Sequence, residues 1–351
     1  MEARRSRRRR RKTRRPSSTS HLSFFLSTSS TSTKQQQQQK TEPVTLPFGS
    51  SLNDSIDFLL EILFAPDVPK PRRLGAAVGL AELAKKKETE AGNENADAEA
   101  AAAAAAVSLL TSGLFETLAA AVSSSEPSAA KREGAFLAVS ELAKAAGEKK
   151  KATADAAAPS TPTAAAAASS SPSSALRCLE PSLAPFLQRA LDASSDKSPD
   201  ARAAAADAAA ALAAHGMHPA SFGADGPHGL LSPLLASADP AKSWQEKAAA
   251  ISALRRALSR NPRAATNRLP LIVPLLTSTM CDARKEVQAA SAKLGPEALA
   301  LVGNRDLEPA VPALLDAMAH PDRVVDCVGR VASTTFVQPV EAPALAVLVP
   351  L

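Results

Sequence analysis

An all-α repeat solenoid is the fold class this sequence predicts, and two observations carry it. In the last third of the chain Leu234-Leu235, Leu275-Leu276 and Leu314-Leu315 each follow a proline by one or two residues, at steps of 41 and 39. Each pair then precedes a polar turn and a second apolar-periodic segment. A period near forty is that of HEAT or armadillo units, helical hairpins that cannot bury their own apolar faces and stack on neighbours. Composition agrees: the chain is 45% apolar but only 3% aromatic, has no tyrosine, and is dominated by alanine, which suits closely approaching helices and not a barrel or sandwich. About six to seven hairpins are expected over residues 51–351.

The hairpins can be justified in order. Ile56, Leu59, Leu60 and Leu63 fall at i, i+3, i+4 and i+7 on one helical face, with Asn53 placed to cap the start and Pro69 and Pro71 to end it. Leu74, Ala77, Val78 and Ala81 repeat the spacing and complete the first hairpin. A second is expected from Leu114 to Ala121 and Ala130 to Ala145, with Phe136, Val139 and Leu142 as its apolar set. Leu183, Phe186, Leu187 and Leu191 open a third, completed by an alanine-rich helix from Pro199 to Ala214. Low-complexity segments at about 85–106 and 147–174 read as solvated insertions between repeats.

The clearest repeats begin at Leu230. Leu231, Leu234 and Leu235 face Trp244, Ala248, Ile251 and Leu258 in the fourth hairpin. In the fifth, Leu269, Ile272, Val273 and Leu276 precede Val287, Ala290 and Leu294. Val311, Leu314, Leu315 and Met318 precede Val324, Val328 and Val331 in the sixth. A seventh starts at Ala342 and reaches Leu351 within its first helix. Solenoids normally close with a polar capping repeat, so this apolar end leads to the expectation of a fragment.

Charge is unevenly divided. Residues 4–15 hold nine arginines and Lys12, and Glu2 is the one acid before residue 41, so the remaining residues carry a net charge near −3 although the whole chain carries +6. The first fifty residues, rich in arginine, serine and glutamine, have no helical periodicity and are expected to be disordered. Arg7, Arg8, Arg9, Arg10, Arg11 and Lys12 would bind any polyanion, with an affinity falling as salt rises. Three origins stay open: an organelle transit peptide, a nuclear-localisation-like or RNA-contacting patch, and an upstream extension from a wrong start codon. The apolar patch Leu22–Leu26 is too short for a secretory signal, and no run approaches the roughly 20 apolar residues that span a bilayer. A soluble, cytoplasmic protein is expected.

Nothing in the chain reads as a catalytic or metal centre. Cys178, Cys281 and Cys327 lie far apart without C-x-x-C spacing, which argues for buried apolar roles in a reducing compartment. His215, His218 and His228 fall in a flexible Gly/His/Pro segment, where no acidic or cysteine partner is placed to help them hold an ion, so no metal is expected. No G-x-x-x-x-G-K-[ST] loop exists to cradle phosphates, so neither a nucleotide cofactor nor ATPase activity is expected. Asp282, Asp306 and Asp322 fit helix or turn caps better than acid catalysts. Lys247, Lys285 and Arg323 hold roughly equivalent places at successive hairpin turns.

Four segments carry a family resemblance. Ser243-Trp244-Gln245-Glu246-Lys247, the stretch from Leu269 through Asp282-Ala283-Arg284-Lys285-Glu286-Val287, Gly303 to Pro309, and Thr334 to Pro343 resemble the N-terminal HEAT domain of translation elongation factor 3. The match is ordered over residues 230–351, and upstream only the repeat pattern is similar. In that family the HEAT domain precedes a helical bundle and two ABC-type ATPase domains, and the whole protein binds the ribosome and promotes release of tRNA from the exit site. The resemblance implies ribosome docking, through ribosomal RNA and proteins, without a small-molecule substrate or membrane. Candidate contact residues are Lys242, Trp244, Lys247, Arg284, Lys285, Arg305 and Arg323, each of which could instead belong to a packed or solvated helix face. Two alternatives remain: a tubulin-binding adaptor of the TOG type, built on Trp244 and Lys247, and part of a large ribosome-associated HEAT protein that activates the starvation-response kinase.

Overall fold

The structure is a computed structural model that describes residues 44, 51–91, 107–109, 111–123, 125–147, 180–216, 219–223 and 229–349. All of these belong to one compact unit, Thr41–Leu351. The basic arm, most of both low-complexity segments, Cys178, His218 and His228 lie outside the described residues.

Every described element is helical. The first three hairpins are α1 (Leu52–Phe64) with α2 (Lys70–Ala91), α3 (Leu114–Ala121) with α4 (Ala129–Gly147), and α5 (Glu180–Ala193) with α6 (Pro199–Ala211). The fourth pairs α7 (Leu231–Ser237) with α8 (Trp244–Arg260). A short α9 (Pro262–Thr266) leads to the fifth hairpin, α10 (Leu269–Met280) and α11 (Lys285–Ala300). The sixth is α12 (Val311–Ala319) and α13 (Val324–Ala332), and α14 (Ala342–Leu348) follows. These boundaries match the spacing of the apolar residues to within a few positions.

Local chemistry explains the starts. Ser51, not Asn53, caps α1: its hydroxyl accepts the Asp54 N–H at 3.2 Å while its own N–H donates to the Asp54 carboxylate at 3.0 Å. Ser243 and Glu246 make the same reciprocal cap on α8. Pro71 opens α2 within its first turn instead of ending α1, a place where its missing N–H costs nothing. α2 also runs six residues beyond Lys85, into what the sequence presents as an insertion.

The second helices of successive hairpins stack in order, α2 on α4, α4 on α6, α6 on α8 and α8 on α11. Alanine makes this possible. Ala204, Ala205, Ala208 and Ala209 of α6 are all buried, because α4 closes on one side and α8 on the other. Gly134 of α4 sits so close to the Leu63 carbonyl of α1 that no β-carbon fits. The segment after α6 is not merely a spacer: Phe222 is fully buried in a short 3-10 turn (Pro219–Gly223), and Arg268 donates to the Gly223 carbonyl.

Ion pairs recur where these helices begin. In the second and third hairpins an acid stands two residues before the second helix's cap and an arginine four after it: Glu126 and Arg132 flank Ser128, and Asp196 and Arg202 flank Ser198. The acid accepts the cap residue's N–H, at 3.1 Å for Glu126 and 2.8 Å for Asp196. Its carbonyl accepts from the cation of its own repeat. Arg202 stays within its own repeat, but three other cations of second helices reach the next one. Arg132 forks onto Asp196 at 2.7 and 3.1 Å, Lys247 meets Asp282 at 2.5 Å, and Arg73 meets Glu133 of α4 at 2.6 Å, all at largely buried sites.

The regular stack ends at the sixth hairpin. α13 packs on α12 and the short turns beside it instead of on α11, and α14 packs on α10. Of the apolar set expected for α13, Val324 and Val331 are half-buried and Val328 is 46% exposed; in the helix as a whole Val325 is 80% exposed and only Cys327 is buried. Periodicity located this helix but did not show which surface would cover it.

Candidate partner-binding surface

The seven sequence candidates do not form one ridge of free charge. Lys247 is 8% exposed, and its ammonium is committed to Asp282. Trp244 is half-buried against the core at the first position of α8. Lys242 is exposed but lies 3.3 Å from Glu246 and 3.9 Å from Asp192. Arg323 pairs with Asp316 at 2.9 Å. Only Arg284, Lys285 and Arg305 are exposed without an ion pair, the first two where α11 begins and the third in the loop after it. The three turn positions that look equivalent in sequence therefore differ: Lys247 is buried, Lys285 is free and Arg323 is paired.

Electrostatics at these turns serves structure. Burial works against the charge on Asp282, but hydrogen bonds from Lys247 and the Arg284 N–H and their nearby charges outweigh it and hold the carboxyl below its ordinary value. Asp196 behaves alike, with burial opposed by the Arg132 fork, the Ser198 N–H and Arg202. Asp306 caps no turn of its own. Its Oδ2 accepts the N–H groups of Val337 and Gln338, both at 2.7 Å, and so ties the loop before α12 to the loop before α14. Asp322 makes no capping bond. Cys327 is buried beside Arg330, and burial pushes its thiol above the usual range.

A denser concentration of positive charge lies at the other end of α8. Residues 248–281 contain five arginines, Arg255, Arg256, Arg260, Arg263 and Arg268, and no acid. Glu297 of α11 reaches into this corner, where it is held by Arg255 at 2.7 Å and by the Ser259 hydroxyl at 2.7 Å. Arg256 on α8 and Arg263 on α9 are exposed and make no ion pair. Arg260, between them in sequence, is exposed as well. Sequence reasoning missed this corner, although an acid-free run of this length was visible; α9, the five-residue helix that carries Arg263, was not anticipated. Such an array can neutralise closely spaced phosphates. Among the described residues no group of three or more His, Cys, Asp or Glu is placed to hold a metal, and no helix is long and apolar enough to cross a membrane.

Comparison with known proteins places these elements in a wider set. The family described as EF3 N-terminal HEAT repeat matches residues 111–294, from before α3 into α11. This match begins well upstream of Leu230 and ends before the Gly303–Pro309 and Thr334–Pro343 segments. Elongation factor 3 of Phytophthora infestans is 36% identical over 173 residues, 49% of this chain and 16% of that protein. Elongation factor 3A of Saccharomyces cerevisiae is 35% identical over 108 residues, 31% of this chain and 10% of that protein. The mRNA export factor elf1 of Schizosaccharomyces pombe is 33% identical over 167 residues, 48% and 15% of the two chains. This chain thus spans about a sixth or less of the length of these relatives. A designed armadillo repeat protein, YIII(Dq)4CqI, aligns over 84% of this chain and 98% of its own with 17% identity and a TM-score of 0.35, too low to weigh in the assignment. With more than half of its residues matched and its paired helices stacked as that match requires, this chain belongs to the EF3 N-terminal HEAT repeat family.

Proposed function

We propose that this chain is a non-catalytic scaffold that docks on the ribosome in the cytoplasm and supports translation elongation. The observation that carries the reading is the acid-free run 248–281, which leaves Arg256 and Arg263 exposed and unpaired beside Arg260 on a rigid stacked core. Arginine in that density suits the phosphate backbone of folded RNA, and the family assignment directs it to ribosomal RNA with neighbouring ribosomal proteins. Arg284, Lys285 and Arg305 extend the contact; Lys242, Trp244, Lys247 and Arg323 act through packing and pairing. The arginine-rich arm adds affinity for any polyanion, and no cofactor takes part. A tubulin-binding reading loses support because Lys247 and Trp244, the residues that suggested it, are buried and half-buried.

The test is co-sedimentation with purified ribosomes, in the full chain and in a form lacking residues 1–43 so that the arm cannot mask the corner. Arg256→Glu with Arg263→Glu should weaken pelleting about tenfold near physiological salt and lower the salt slope by about one unit per lost phosphate contact. If the parent pellets no better than an unrelated protein of the same charge, the reading is wrong.

A further inference from the structure

The junction between the fifth and sixth hairpins lacks the cation bridge that joins three of the four earlier pairs of repeats. Arg73, Arg132 and Lys247 each carry a cation from one second helix to the next repeat, whereas Arg202 of α6 bonds to the Asp196 and Lys197 carbonyls of its own repeat. At the corresponding place in α11 stands Gln288, whose amide donates to the Asp282 carbonyl at 2.7 Å as the repeat pattern requires but brings no charge. Asp322, the acid that would receive a cation, is exposed and makes no ion pair.

Two apolar surfaces stay uncovered at this junction. On α13 they are Val325 and Val328; on α11 they are Ala289, Ala292, Pro296 and Ala300, which share one face and are all exposed. Between α11, α12 and α14 lies an open apolar cleft of about 350 Å³, lined by Leu299, Val302, Leu307, Val311, Leu314 and Val347 among others. Gly329, inside α13, has nothing within 4 Å of where a β-carbon would stand. A glycine inside a helix costs stability, and here no neighbour in this position requires it.

The hairpin is nevertheless anchored at both ends. Besides the Asp306 bonds, the Arg305 N–H donates to the Gln338 side chain at 2.9 Å, and the Asn304 amide reaches the Pro339 carbonyl at 3.5 Å. These bonds hold residues 304–306 against 337–339, so the intervening α12–α13 hairpin leaves and returns at one place. Gly295 of α11 lets the Leu315 side chain come close enough that a β-carbon would stand 2.7 Å from it, which forms a narrow fulcrum for α12.

We propose that the α12–α13 hairpin is a hinged flap with two positions. One is the splayed position described above. In the other, α13 lies on the exposed face of α11 as the next member of the second-helix stack, covering its valines and narrowing the apolar cleft. Continuity with the existing α8–α11 interface identifies α11 as the surface that receives it, and Gly329 permits the close approach. The flap does not depend on ribosome binding.

Hydrogen exchange read by mass spectrometry on the full chain tests this. Gln288→Arg supplies the missing cation opposite Asp322 and should slow exchange of amides 325–332 about tenfold, the population shift one charge-assisted hydrogen bond can produce. Asp322→Asn on that background should cancel the gain. Gly329→Leu, which meets open space in the splayed position, should cancel it too. If Q288R exchanges within about twofold of the parent while circular dichroism stays unchanged, α13 has no closed position and the proposal fails. Protection that grows with protein concentration would also overturn it, because a second copy would then be the cover.

Discussion

Lys247 shows how far one residue's role depends on where the chain places it. In sequence it is a cation beside a tryptophan at a hairpin turn; in the fold it neutralises Asp282 across a repeat junction with little water nearby. Lys247→Ala leaves a largely buried carboxylate unpaired and should cost about 2–4 kcal/mol in urea unfolding, whereas replacing both partners with apolar residues should cost less. The same pairing sets an acid limit. Asp196 and Asp282 titrate below their unfolded-state values, so their stabilisation is fully present above about pH 4 and is lost as pH falls through the lower folded values. The melting temperature should hold steady from neutral pH to about pH 5 and drop below about pH 4. Asp282→Asn should melt lower at neutral pH but lose less on acidification; an unaltered pH profile would refute the assignment. Gly134→Ala is expected to cost about 1–3 kcal/mol, because its methyl would press on the Leu63 carbonyl.

At the scale of elements, small residues decide how near two helices can come. α6 presents buried alanines to both neighbours, so Ala208→Leu should destabilise by about 1–3 kcal/mol while the exposed Ala203→Leu should be close to neutral. Equal melting temperatures for the two variants would mean that α4, α6 and α8 are not closely packed. Helix positions were legible because apolar spacing records which face is buried. One rung of the ion-pair ladder was written in the chain as well, in the six-residue spacing of Glu126 to Arg132. It went unread because an acid and an arginine six apart within one repeat do not reveal that the arginine bonds to the repeat after it. α9 escaped for a different reason: five residues beginning with a proline contain too little periodicity to register.

The molecule as a whole behaves as a row of neighbours, each junction contributing its own stability. Weakening one central junction should therefore divide the row. Arg132→Ala, which removes the fork onto Asp196, should broaden or split the calorimetric unfolding transition; one sharp transition with an unchanged denaturant slope would show that cooperativity spans the stack despite the loss. The sixth hairpin is expected to exchange its amides faster than α6 or α8, since α13 buries only Cys327. Binding follows the same geometry, because a stacked array exposes turns and outer faces, and only charges not consumed between repeats can meet a partner.

The amino-acid sequence by itself determined the helical class, the forty-residue period, most helix boundaries and the family, all of which depend on patterns local to one or two turns of chain. Which cations remain free, where the stack stops being regular, and how Asp306 joins residues some thirty positions away were decided only by the tertiary structure. Each depends on pairs of groups from different repeats, and nothing in a linear spacing states whether a lysine will end beside water or beside an aspartate.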